Sequence, residues 1–109
     1  MDTLACFSTC PDAPTAERIA RALVEARLAA CVNLLPGVRS VYRWDGDVVV
    51  DDEVLLMIKT TSVHLPALRE RLVVLHPYDV PELIALPVAG GLPAYLQWIE
   101  EATATAPRS

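Results

Sequence analysis

The chain has 109 residues, of which 53% are hydrophobic, with a formal net charge of −5 and a mean hydropathy of +0.35. This length predicts a single domain, residues 1–109, and the negative charge argues against nucleic-acid binding, which needs clustered Lys and Arg. No apolar run reaches the roughly 18 residues of a membrane-spanning helix, so no membrane association is expected. The apolar surplus predicts a subunit interface. Three cysteines without an export signal indicate reduced thiols in the cytoplasm.

The first half of the chain predicts a strand, a helix and a long hairpin. Residues 4–9 form a short apolar run that is typical of a buried strand. Asp12 can cap a following helix, whose apolar positions recur at helical spacing as far as about Arg27. Residues 31–44 and 48–60 are two β-rich runs joined at Asp45-Gly46, a dipeptide favoured in two-residue hairpin turns.

Each arm of this hairpin is longer than the usual strand of about five or six residues. Two interpretations follow. Either bends at Pro36-Gly37 and at residues 51–52 break the arms, or the tip projects from the domain and pairs with another chain. A projecting tip would have to bury Tyr42 and Trp44, which share one face of the first arm.

The second half predicts a helix, a strand and a last helix. Ser62 can cap the first of these helices, and the proline-rich segment 76–81 predicts a rigid connection. Residues 82–88 predict a strand that lies at a sheet edge or stops at Pro87, because proline has no amide hydrogen to donate. The order β-α-β-β-α-β plus a C-terminal helix is the split βαβ, ferredoxin-like pattern of the α+β class. This fold by itself implies no function.

Four segments of the chain resemble the CutA family of divalent-cation-tolerance proteins. They are Ala-Cys-Val-Asn-Leu-Leu-Pro-Gly at 30–37, Ser-Val-Tyr-Arg-Trp-Asp-Gly at 40–46, Ile-Lys-Thr-Thr at 58–61 and His-Pro-Tyr-Asp-Val-Pro-Glu at 76–82. The resemblance implies a cytoplasmic homotrimer whose hairpins pair between subunits, with clefts between subunits as in the PII signalling proteins. It implies a role linked to copper and other divalent ions, and no enzymatic activity is expected.

Cys10 and His76 are the predicted metal ligands. Cys10 precedes Pro11 at a strand-to-helix turn, where a helix N-terminus favours a thiolate. The family resemblance implies copper ligands from a cysteine and two consecutive histidines, but Ser8 stands at the cysteine position and Leu75 at the first histidine position. Only His76 matches, so we expect weak copper binding in which Cys10 replaces the missing sulfur. The alternative for His76 is an imidazolium that caps the last carbonyls of the preceding helix.

A second group of residues combines charged and aromatic side chains. The only lysine of the chain, Lys59, is expected to meet either an anionic ligand or a carboxylate of another subunit. The predicted cleft or ligand residues are Lys59, Tyr78, Glu82 and Glu53, and the predicted trimer contacts are Tyr42, Trp44 and Trp98.

The sequence therefore predicts a homotrimer that binds divalent metal ions, copper above others, weakly and exchangeably in metal-ion homeostasis. The alternative is a PII-like signalling or scaffold trimer that binds an anionic small molecule or a protein partner in the cleft.

Overall fold

Residues 2–104 are described by a computed structural model and form one four-stranded antiparallel sheet with three helices. The elements are β1 (Thr3–Cys10), α1 (Ala13–Glu25), β2 (Cys31–Trp44), β3 (Asp47–Thr61), α2 (Leu65–Leu75), β4 (Ile84–Pro87) and α3 (Pro93–Thr103). The strand order β2-β3-β1-β4 confirms the predicted ferredoxin-like α+β arrangement. Strand β4 lies at the sheet edge and ends at Pro87, as expected. Within residues 2–104, the helices are too short or too polar to cross a membrane.

The core lies between one face of the central strands and helices α1 and α2. Alternate residues of β1 and β3 face these helices, among them Cys6, Leu56 and Ile58, which have no exposed surface. They belong to one buried cluster with Ile19 of α1 and Leu68 of α2. Burial of each such aliphatic side chain contributes about 1.5–3 kcal/mol to the stability of the fold. This packed layer therefore holds the strands and helices in place, and with them the loops at their ends.

The two helix starts differ in how they are capped. Asp12 caps α1 as predicted, since its Oδ1 accepts a hydrogen bond of 2.8 Å from the amide of Thr15. The prediction that Ser62 caps α2 is wrong, because His64 is the N-cap residue and makes no side-chain capping bond. Ser62 instead follows the end of β3, where its amide donates to the carbonyl of Asp2 at 2.9 Å and so continues the pairing of β1 with β3.

The hairpin of β2 and β3 combines a bend and a projection. Asp45 and Gly46 form a two-residue turn with φ of 50° and 83°, and Trp44 pairs with Asp47 across it. Strand β1 pairs with β3 only at residues 54–61. Residues 38–53 therefore form a two-stranded extension of the sheet, which we call the ribbon, and the molecule is 52 Å long.

The two faces of the ribbon differ in character. One face carries Ser40, Tyr42, Trp44, Asp51 and Glu53, as the pairing of residue 40 with 51 and of residue 42 with 49 requires. The other face carries three valines with large exposed fractions, Val41 at 67%, Val48 at 63% and Val50 at 49%. Pairing of this ribbon with another subunit stays a prediction.

Candidate metal and ligand sites

The fold brings the two predicted metal ligands together although they lie 66 positions apart in sequence. Cys10 is the last residue of β1, and His76 follows the last residue of α2. Because α2 packs on the helix-facing side of the sheet, the end of α2 meets the end of β1, and the Sγ–Nε2 distance is 3.8 Å. Both side chains are buried.

Both ring nitrogens of His76 make hydrogen bonds with the backbone. The amide of Tyr78 donates to Nδ1 at 3.2 Å, so the proton of the neutral ring is on Nε2. Nε2 then donates to the carbonyl oxygen of Thr9 at 2.8 Å. The ring thus joins β1 to the connection after α2 instead of capping the carbonyls of α2. A metal ion that binds this histidine has to replace one of these two bonds.

The prediction of a thiolate at Cys10 is wrong. Burial, with smaller contributions from the charges of Glu53 and Asp12 and against an opposing effect of Arg18, raises the pKa of the Cys10 thiol from 9.0 to about 11. Desolvation therefore affects the pKa of Cys10 more than the helix N-terminus does, and the thiol is protonated near neutral pH. A metal ion that binds this sulfur has to displace the proton. Burial alone raises the pKa of Cys6 to about 11 as well.

The position aligned with the family's cysteine is held by a buried hydroxyl. Ser8 has no exposed surface, and its Oγ has no hydrogen-bond partner among residues 2–104. Cys10 follows two positions later on the same strand, so both side chains lie on the helix-facing side. In the described part of the chain, no three His, Cys, Asp or Glu side chains are close enough together to hold a metal ion. One subunit thus offers two soft ligands at this place, Cys10 and His76.

A cavity of about 700 Å³ lies between the ribbon and the connection that follows α2. We call it the ribbon cavity. It is lined by Thr9 of β1, by Ser40, Val41, Tyr42, Trp44 and Glu53 of the ribbon, and by Pro77, Tyr78, Asp79, Val80 and Glu82. Its volume lies in the range typical of small-molecule sites, about 300–1,000 Å³.

Glu53 is the central acid of the ribbon cavity, with only 7% of its surface exposed. The Tyr78 hydroxyl donates to its Oε2 at 2.7 Å. Burial and this hydrogen bond to Glu53 raise the pKa of Tyr78, so the phenol stays a donor. Glu82 lies nearby, and its Oε1 accepts a bond of 3.4 Å from the Thr9 hydroxyl.

Three of the four predicted cleft residues, Glu53, Tyr78 and Glu82, line this cavity, whereas Lys59 does not. Lys59 donates to Asn33 Oδ1 on the neighbouring strand. Six positions separate Lys59 from Glu53 along β3, a distance of about 20 Å. An ion pair between the two within one subunit is therefore excluded, and contact with an acid of another subunit stays a prediction.

The predicted trimer contacts fall in two places. Tyr42 and Trp44 line the ribbon cavity, and the Tyr42 hydroxyl donates to the Asp51 carboxylate. Trp98 lies on α3, where its ring stacks on Tyr95 with centroids 5.6 Å apart. Thr9 and Ser40 also line the cavity and were not predicted from the sequence, because only the pairing of β1 and β2 with β3 places them near Glu53.

The sheet order, the crossing helices and the extended hairpin define a ferredoxin-like α+β protein. Residues 4–102 match the CutA1 divalent ion tolerance protein family. The chain therefore belongs to the CutA1 family, which confirms the resemblance seen in the sequence.

Named relatives agree with this assignment. The chain is 56% identical over 95 residues to the divalent-cation tolerance protein CutA of Thermus thermophilus, covering 87% of this chain and 92% of that protein. It is 54% identical over 99 residues to protein CutA of Mus musculus, covering 91% of this chain but only 56% of the mouse protein. The crystal structure of CutA from Xylella fastidiosa superposes with a TM-score of 0.92 at 52% identity, covering 95% of this chain and all of that one.

Proposed function

We propose that this protein serves in tolerance to divalent cations by binding them weakly and exchangeably, copper above others, as a non-enzymatic cytoplasmic homotrimer. The family is named for divalent ion tolerance. The observation that carries the proposal is the 3.8 Å approach of the Cys10 sulfur to the His76 imidazole. Thiolate and imidazole are ligands suited to copper and zinc, and the general order of metal affinities favours copper over zinc.

Weak binding follows from the state of these two ligands. The Cys10 thiol must lose a proton whose pKa burial raises to about 11. His76 must give up a hydrogen bond to the backbone. The remaining ligands have to come from solvent or from another subunit, because the described residues of one subunit supply no third ligand. Copper bound in this way exchanges with its surroundings.

The trimer in this proposal is supported by the ribbon. Its exposed valine face and its partly exposed Tyr42 and Trp44 offer apolar surface to another copy of the chain. A cytoplasmic location agrees with Cys6, Cys10 and Cys31, which are all free thiols.

The charge of the ribbon cavity does not favour the PII-like alternative with an anionic ligand. Glu53, Asp79 and Glu82 line the cavity, and none of the described residues that line it is Lys, Arg or His. An anion placed there would meet three carboxylates, an arrangement that costs free energy in a partly buried site.

The test is metal binding to the native assembly, measured by mass spectrometry and by competition with a chelator under reducing conditions. We expect a trimer that takes up discrete copper equivalents. Cys10→Ser and His76→Gln should each lower copper affinity at least tenfold, while the matched substitutions Cys31→Ser and His64→Ala leave it unchanged. Zinc affinity should rise about tenfold per pH unit between pH 6 and 8, because one thiol proton is released per ion.

Two results would contradict the proposal. One is copper affinity that is the same in wild type, Cys10→Ser and His76→Gln. The other is a folded monomer at micromolar concentration, which would refute the trimer and leave the metal ligands to be judged separately. Circular dichroism spectra of the variants show whether each retains the fold.

A further inference from the structure

Both nitrogens of the His76 ring are already used in hydrogen bonds with the backbone. The Tyr78 amide donates to Nδ1 at 3.2 Å, and Nε2 donates to the carbonyl oxygen of Thr9 at 2.8 Å. A neutral imidazole has one N–H group and one lone pair. The lone pair is what a metal ion needs, and in the metal-free chain it accepts the Tyr78 amide.

Metal binding by this ring removes the acceptor of the Tyr78 amide, whichever nitrogen is used. Coordination at Nδ1 takes the lone pair directly. Coordination at Nε2, which lies 3.8 Å from the Cys10 sulfur, requires the ring proton to be on Nδ1, where it faces the Tyr78 amide as a second donor. The protons balance: the Cys10 thiol proton leaves to solvent, and the neutral ring keeps one proton, now on Nδ1.

Tyr78 connects the His76 ring to the ribbon. Its own ring lies against that of His76, with centroids 4.7 Å apart, and its hydroxyl donates to Glu53 Oε2 at 2.7 Å. Pro77 stands between His76 and Tyr78, and because its φ is fixed, this short connection has little freedom to absorb a change at the Tyr78 amide. His76 and Glu53 are both buried, so this path lies within one chain and needs no open surface.

We propose that Tyr78 sets the metal affinity of His76 and transmits metal binding to the ribbon. In the metal-free chain, the Tyr78 amide holds the ring in the tautomer whose Nε2 carries a proton. In the metal-loaded chain, this amide loses its acceptor, Tyr78 shifts, and its bond to Glu53 weakens. The inference rests on the proposed metal site and adds its regulation, because metal-free and metal-loaded chains then differ in the ribbon.

The first test follows the Tyr78 amide directly. Zinc, which is diamagnetic and suits NMR spectroscopy, is added to the isotope-labelled native assembly under reducing conditions. We expect the ring-nitrogen signals of His76 to show the proton on Nε2 without zinc and on Nδ1 with zinc. Hydrogen exchange of the Tyr78 amide should become about tenfold faster, the effect of losing one hydrogen bond.

Two other amides are internal controls for this measurement. The amides of His76 and Val88 donate to the carbonyls of Leu72 and Thr3, at 2.9 and 3.0 Å, and neither bond involves the imidazole. Their exchange should not become faster when zinc binds. Because a ligand that binds the folded state generally slows exchange, faster exchange at Tyr78 alone identifies the loss of this one bond and not a loosened fold.

The second test uses the reciprocity of coupling. If metal binding weakens the bond between Tyr78 and Glu53, then removing that bond favours metal binding, so Tyr78→Phe should raise zinc affinity about fivefold. Tyr42→Phe is the matched control, because the Tyr42 hydroxyl also donates to a ribbon carboxylate, that of Asp51, and it should leave zinc affinity unchanged. Zinc should shift the amide signals of ribbon residues 38–53 in the wild type and much less in Tyr78→Phe.

The outcomes separate this inference from the proposed function. If Cys10→Ser and His76→Gln weaken zinc binding but the Tyr78 amide stays protected when zinc binds, the coupling is refuted and the metal ligands stand. Equal zinc affinity of Tyr78→Phe and Tyr42→Phe also refutes the coupling. If the wild type binds no zinc at Cys10 and His76, both proposals fall. Circular dichroism checks the fold of each variant, and where Tyr78→Phe does not fold, the exchange measurement on the wild type decides.

Discussion

The hydrogen bond between Tyr78 and Glu53 should contribute measurably to the stability of the fold. The substitution Tyr78→Phe removes the hydroxyl that donates to Glu53 Oε2 at 2.7 Å and leaves the rest of the ring in place. Glu53 is then a buried carboxylate without its donor. Since hydrogen bonds to charged groups contribute about 1.5–3 kcal/mol, we expect the free energy of unfolding to fall by about that amount.

Tyr42→Phe is the matched control for this substitution. The Tyr42 hydroxyl also donates to a carboxylate, that of Asp51, but its bond is exposed to solvent. Its removal should change the free energy of unfolding by less than about 0.5 kcal/mol. Burial, and not the chemical type of the bond, accounts for the difference between the two tyrosines.

The assay is guanidinium chloride denaturation followed by circular dichroism, at one fixed protein concentration because association contributes to stability. A double-mutant cycle adds Glu53→Gln and the double variant, and it should give a coupling energy of about 1–2 kcal/mol. The reasoning is refuted if Tyr78→Phe destabilises no more than Tyr42→Phe, or if the two substitutions in the cycle are additive within about 0.5 kcal/mol.

Three further predictions concern the interface, the buried thiol and the first helix. Val41→Glu on the ribbon should dissociate the proposed trimer in native mass spectrometry, whereas Val74→Glu on the exposed side of α2 should not; two identical spectra would contradict this proposed role of the ribbon. Burial raises the pKa of the Cys10 thiol from 9.0 to about 11, so the unfolded chain loses this proton first as pH rises. The stability due to the neutral thiol is complete below pH 9 and decreases by about 2–3 kcal/mol as pH rises to 11. The difference in unfolding free energy between wild type and Cys10→Ala should shrink by that amount, and parallel pH curves would disprove it. Asp12→Ala should destabilise the protein by about 0.5–2 kcal/mol through loss of the bond to the Thr15 amide, while Asp12→Asn restores most of it; equal stability of the two variants would argue against capping.

Features of the fold that depend on local chemistry were predictable from the sequence. The turn at Asp45-Gly46 needs positive φ at both positions, and this dipeptide supplies it. Asp12 was recognisable as a cap because its bond to Thr15 spans only three positions. The order of elements followed from such local signals, and it was sufficient to select the ferredoxin-like arrangement.

Features that depend on distant residues were less accessible. A thiolate was predicted for Cys10 because a nearby helix N-terminus lowers the pKa of a thiol. In the folded chain, β3, α1 and α2 bury the Cys10 thiol, and this burial raises its pKa instead. Ser62 has the side chain of a good cap, yet its amide bonds to Asp2, which lies beside it in the sheet but near the start of the chain. Lys59 and Glu53 were both predicted as cleft residues because they lie in or near family motifs. They are six positions apart on β3, so they do not reach the same site within one subunit.

The acidic, aromatic character of the ribbon cavity depends on one extra residue in β2. Leu35 pairs with Leu55, but beyond the bulge Val38 pairs with Glu53, so two residues of β2 lie opposite one of β3. If the register of Leu35 with Leu55 continued without the bulge, Arg39 and Arg43 would lie on the same face of the ribbon as Glu53. Tyr42 and Trp44 would then lie on the opposite face.

Two local demands require this bulge. The turn at Asp45-Gly46 fixes the pairing of Trp44 with Asp47 at one end, and burial of Leu56 fixes the pairing at the other. The two registers differ by one residue, and Gly37 absorbs the difference with a φ of 80°, which costs a glycine little. The sign of charge in the cavity therefore follows from turn chemistry and core packing, which together determine which side chains of the ribbon a ligand meets.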